Sequence, residues 1–131
     1  MNGTPIDWCT KKQATVETTT HGSEFIAARI CVEQVIDLCN TLRYLGVPIK
    51  EKSYMFGDNE SIVKSSTTLY AKLHKRHNAL SFHCVREAIA AKFMDFIHMP
   101  GTDNPADVVS KHWGYSDVWK QLQCLCFGMV I

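Results

Sequence analysis

The chain has 131 residues, of which 46% are hydrophobic and 21% charged, which fits one globular core and excludes both a multidomain machine and a disordered chain. Fourteen Lys and Arg face thirteen Asp and Glu, for a formal net charge of +1. That balance excludes a polyelectrolyte-type nucleic-acid binder but leaves room for a local basic patch.

In chain order, residues 4–9 read as a strand near a sheet edge, because Pro5 has no N–H for a ladder. The polar, Thr-rich stretch 10–20 is a loop or a second short strand. Over 23–44, Phe25, Ala28, Val32, Val35, Cys39 and Leu42 recur in steps of three and four, the spacing of one helix face. Gly46 and Pro48 end that helix. The aromatic run 54–57 predicts a buried strand, and Asp58 and Asn59 at its end offer a cap for a helix over 61–66. A basic loop, 72–77, leads to a helix from about 80 to 92, then a strand over 93–99 stopped by Pro100-Gly101. Pro105 opens a helix that runs to about Lys111, and 115–126 predict a short amphipathic helix with Trp119, Leu122 and Leu125. Strands alternating with helices make this an α/β chain. Trp8, Phe25, Phe56 and Phe96 are expected in its core.

Nothing in the chain approaches the ~18 apolar residues of a membrane span, and its start lacks the pattern of a secretory leader. The cysteines (Cys9, Cys31, Cys39, Cys84, Cys124 and Cys126) are irregularly spaced. Reduced thiols in a cytoplasmic or nuclear protein, not a secreted one, are therefore expected. Neither His83-Cys84 nor Cys124 with Cys126 has the spacing of a structural zinc site.

Three acids sit where chemistry is possible. Glu24, in the first turn of the long helix, leans toward the buried side above Ala28, although a first-turn Glu is also favoured by the helix dipole. Asp58 follows a strand, the place where open α/β sheets collect ligands, although Asp is also a good N-cap. Asp107 lies in the first turn of the helix at Pro105, where the dipole again offers a plain reason. Acids converging from separate elements are what a pair of divalent ions about 4 Å apart requires. Asp7, mid-strand between Ile6 and Trp8, points away from the apolar face and is left out.

The stretches Ser23-Glu24-Phe25-Ile26-Ala27-Ala28, Phe56-Gly57-Asp58-Asn59 and Asn104-Pro105-Ala106-Asp107-Val108-Val109-Ser110-Lys111 resemble motifs of the ribonuclease H domain of Copia-type retrotransposon polyproteins. Pro5-Ile6-Asp7-Trp8 with Lys11-Lys12-Gln13 resembles the family's third strand and the segment after it. Lys75-Arg76-His77, with His83 and Arg86-Glu87, resembles its basic, His-containing helix. The resemblance implies a partial ribonuclease H-like domain over 1–113, with a mixed sheet flanked by helices, and a tail over 114–131.

It further implies cleavage of the RNA strand of RNA–DNA hybrids during reverse transcription, using two magnesium ions. Glu24, Asp58 and Asp107 would be the catalytic and metal-holding carboxylates. Lys72, Lys75, Arg76 and His77 would contact nucleic acid, with His83 auxiliary. Reverse transcriptase and other polyprotein segments are the implied partners, with no membrane. The family's first strands and their catalytic Asp have no counterpart here, so the expectation is a fold lacking those strands and a weak or inactive nuclease. Two alternatives stay open: a non-catalytic remnant that at most binds nucleic acid or a partner chain, and another two-metal nuclease of the same fold.

Overall fold

The computed structural model describes residues 7, 20–72, 76–112, 114–119 and 122. The strand expected over 4–9, with Trp8, and most of the Thr-rich stretch lie outside the described residues. Two compact units make up the chain, Thr15–Met99 and Met1–Ala14 with Pro100–Ile131.

In the first unit, helix α1 spans Thr20–Tyr44, opening three residues earlier than its apolar spacing predicts. Phe25, Ala28, Val32 and Cys39 are buried along the predicted stripe, and Val35 packs against them. The rest of the helix surface carries an Arg29–Glu33 pair at 2.7 Å together with the exposed Ile30 and Ile36. The end of α1 is a Schellman motif. Gly46 has φ +77, its N–H reaches the Arg43 carbonyl at 3.0 Å, and the Val47 N–H reaches Leu42 at 2.9 Å. Only a residue without Cβ adopts that φ at little cost, which is why the helix stops there.

Strand β1 (Ser53–Gly57) is followed by helix α2 (Glu60–Thr67), a 3-10 turn (Arg76–Asn78), helix α3 (Ala79–Ala90) and strand β2 (Met94–His98). The two strands pair in parallel, with Met55 opposite Phe96 and Phe56 opposite Ile97. A parallel pair requires such a crossover, and here two helices supply it. Met55, Met94 and Phe96 point into the core, while Tyr54, Phe56 and Ile97 share the other, exposed face.

Two expectations are thereby corrected. Strand β1 is not buried as a run, and Phe56, at 50% exposure, is not a core residue. The reason is the period of two along a strand, which sends Phe56 to the face opposite Met55.

The core joins α1, α2, α3 and the inner sheet face, with Phe25, Val32, Ile62, Val85 and Met94 fully buried. The rings of Phe25 and Phe82 meet edge to face at 5.5 Å between centroids. Gly57 admits the Phe96 ring, since a Cβ there would lie 2.7 Å from it. The chain leaves α3 through a second Schellman pair, Lys92 N–H to Ile89 at 2.9 Å and Phe93 N–H to Ala88 at 3.1 Å. Here Lys92 takes the left-handed position, with φ 55.

In the second unit, a 3-10 turn (Gly101–Asp103) precedes helix α4 (Asp107–Ser110). The expected helix start at Pro105 is corrected by two residues, because Pro105 and Ala106 form a turn. Asn104 closes that turn: its side-chain oxygen accepts the Ala106 N–H at 3.1 Å and its carbonyl accepts the Asp107 N–H at 3.2 Å. Residues 115–119 are helical, as expected, with Trp119 exposed. The chain is thus mixed α/β, with helices and, among the described residues, a small parallel sheet of two strands.

Candidate functional site

Asp58 leaves the C-terminal end of β1, the position where parallel sheets present their loops to ligands. Capping does not explain it, because the N-cap of α2 is its neighbour. The Asn59 side-chain oxygen accepts the N–H of Ser61 at 3.0 Å and of Ile62 at 3.4 Å. Asp58 is exposed, and its backbone carbonyl faces Nε2 of His98, at the end of β2, at 3.2 Å.

Glu24 comes from the other direction. Since α1 begins at Thr20, no acid falls in its first turn, and the dipole explanation for Glu24 is corrected. The residue is half-buried, near the Asn59 side chain. Burial pushes its pKa above the ordinary glutamate value; the Asn59 bond opposes that rise, and the nearby Asp58 charge adds to it. Two of the three predicted acids, from different elements, therefore lie close enough for the charge of one to act on the other. Oxygen donors of this kind fit a hard divalent cation, whose charge would offset both the burial and the repulsion.

Asp107 belongs to the second unit. It is the first residue of α4, is buried, and its Oδ2 meets Lys111 Nζ at 2.6 Å, one turn along. Among the described residues, no group of three or more His, Cys, Asp or Glu side chains is arranged to hold a metal ion. Glu24 and Asp58 stand as a pair.

Lys72 and Arg76 are exposed, as a phosphate-contacting role requires. Lys75 and the side chain of His77 lie outside the described residues. His83 is exposed on α3, with its ring edge to face with Phe82 at 5.3 Å. Cys31, Cys39 and Cys84 are free thiols, and burial raises the pKa of Cys31 and Cys84, which makes them poor nucleophiles and ligands. Cys124 and Cys126 lie outside the described residues.

Two residues matter more than their sequence context suggests. Asn59 caps α2 and lowers the Glu24 pKa, and the only signal for it is an amide directly after a strand-end Asp. Arg86 donates to the carbonyls of Ser65 at 3.0 Å, Thr68 at 2.7 Å and Leu69 at 2.9 Å. Its guanidinium also lies 5.1 Å from the Phe82 ring centroid. It ties off the C-terminal end of α2, a role that no local pattern announces.

No family model matches the chain, and no solved structure matches it. Two curated proteins of Arabidopsis thaliana do, the retrovirus-related Pol polyproteins from transposons RE2 and RE1. Each is 22% identical over 107 residues, which cover 82% of this chain and 7% of the polyprotein. The chain therefore resembles a short stretch of a retrotransposon Pol polyprotein, spanning about 7% of the length of the relatives it matches.

Proposed function

We propose that the chain is a ribonuclease H-type segment of a retrotransposon polyprotein, one that cuts the RNA strand of RNA–DNA hybrids formed during reverse transcription. The observation that carries this reading is that Glu24, on α1, lies near enough to Asp58, at the end of β1, for the Asp58 charge to raise its pKa. Magnesium, when bound, supplies an activated water and stabilises the leaving 3′ oxygen, so no protein nucleophile is needed. Glu24 and Asp58 offer the oxygen ligands, and Asp107 is the third carboxylate the reading requires. Lys72, Lys75, Arg76 and His77 hold the phosphates of the hybrid, His83 assists beside them, and reverse transcriptase segments are the natural partners.

One observation favours a second reading. Asp107 is engaged by Lys111 at 2.6 Å, and a carboxylate held by its own lysine suits a remnant that binds nucleic acid without cutting it.

The test is incubation of the chain with a labelled RNA–DNA hybrid and Mg2+ or Mn2+. Cleavage confined to the RNA strand and lost in Glu24→Gln and Asp58→Asn is the expected result. Cleavage that survives both substitutions sinks the assignment. Hybrid binding with no cleavage by the wild type selects the remnant.

A further inference from the structure

Helices α1, α2 and α3 share their core with the sheet face that carries Met55, Met94 and Phe96. On the other face Tyr54, Phe56 and Ile97 are 54%, 50% and 39% exposed. Phe56 and Ile97 are partners in register, and Tyr54 lies two residues before Phe56, so the three side chains form one patch. Single apolar groups are ordinary on a protein surface, but a contiguous patch marks a place where something docks. Parallel strands in particular are buried on both faces as a rule, and only the inner face is buried here.

The two ends of the patch differ in charge. Lys52, just before β1, forms an ion pair with Asp95 of β2, and its ammonium lies 6.0 Å from the centroid of the Tyr54 ring. Asp58, just after β1, is exposed. Residues 52, 54, 56 and 58 therefore run base, ring, ring, acid at the strand's period of two. That order complements itself when it is reversed. A second copy with its strands antiparallel sets Lys52 against the partner's Asp58 and Tyr54 against the partner's Phe56. A copy with its strands parallel sets base against base and acid against acid, which repulsion disfavours.

We infer that the outer face of the β1–β2 sheet is a self-association surface, on which a second copy of this chain packs face to face with its strands antiparallel. Such an interface is isologous, so each contact is made twice. A face of two five-residue strands is small beside the roughly 800 Å² per partner of a standard interface. The dimer is accordingly weak and concentration-dependent. The inference does not depend on the nuclease reading.

Sedimentation equilibrium of the chain, with a thiol reductant present so that no disulfide can link two copies, reads the association directly. A monomer–dimer equilibrium should appear as the concentration rises toward about 1 mM. Phe56→Ser should weaken it about tenfold or more, since an aromatic group at the centre of an interface carries much of its binding energy. Far-UV circular dichroism and the thermal midpoint of the dilute variant establish that it is still folded. A wild type that stays monomeric at every concentration overturns the inference, and so does a dimer that a folded Phe56→Ser variant retains.

Charge reversal tests the orientation. Lys52→Glu and Asp58→Lys, each alone, set like charges against each other twice in an antiparallel dimer and should both associate more weakly than the wild type. Mixed in equal amounts they should associate about as well as the wild type, because a dimer of one variant with the other restores both pairs. Lys52→Glu also breaks the ion pair with Asp95. A change in another chain cannot repair that loss, so recovery in the mixture reads only the contact between copies. A mixture that associates no better than the separate variants overturns the antiparallel packing.

Discussion

A carboxyl that is half-buried beside a second carboxylate opposes folding whenever both are charged. Glu24 is in that position, with its pKa raised above the ordinary 4.5 by burial first and by the Asp58 charge, against the opposing Asn59 bond. The native state therefore holds the Glu24 proton more tightly than the unfolded chain does. Stability is greatest below the unfolded value and falls as pH rises through the folded one, after which it levels. Glu24→Gln removes the charge and keeps an oxygen for Asn59 to bond. We expect this variant to melt above the wild type at neutral pH, with the difference shrinking as pH drops toward 4.5. Thermal unfolding across that range checks it, and a pH-independent difference would show that Glu24 is not under strain. Gaining stability by losing the charge is what a site kept for a cation should do.

Among the elements, the end of α2 depends on a residue from α3. Arg86 reaches the carbonyls of Ser65, Thr68 and Leu69, groups that the helix itself cannot satisfy. Arg86→Ala should lower stability by about 1.5–3 kcal/mol, the range for hydrogen bonds to a charged donor. Arg86→Lys should recover only part of it, since a point charge cannot span three carbonyls as the planar fork does. Denaturant midpoints measure both, and a stable Arg86→Ala with weakened hybrid binding would make Arg86 a nucleic-acid contact instead. The contrast with α1 shows what a sequence discloses. The stripe from Phe25 to Cys39 and the stop at Gly46 are local patterns, and both are legible before any fold is known. The exposure of Phe56 depends on which strand face the helices cover, and the Arg86 clamp joins residues up to 21 positions apart. The site divides in the same way. The strand end marks Asp58, but its release from capping by Asn59, and the early start of α1 that frees Glu24 from the dipole, are settled only by the turns themselves.

At the scale of the whole molecule, charge decides how a polyanion is met. With fourteen basic and thirteen acidic residues, the net charge of +1 gives almost no long-range attraction. Affinity for a hybrid has to come from a local patch, and Lys72 and Arg76 are exposed where the sequence also places Lys75. Each phosphate contact that is lost lowers the slope of log affinity against log salt by a little under one unit. Converting Lys72, Lys75 and Arg76 together to Gln should therefore flatten that slope by about two to three. It should also weaken binding by a similar factor for hybrids of unrelated sequence, because contacts to phosphate carry no base information. Glu24→Gln and Asp58→Asn should act in the opposite direction without metal, since each removes a negative charge from a site meant to face phosphates. Fluorescence anisotropy over a salt series reads both effects. A slope left unchanged by the triple substitution would detach the basic loop from nucleic acid and leave the carboxylate pair as the one feature of the nuclease reading still standing.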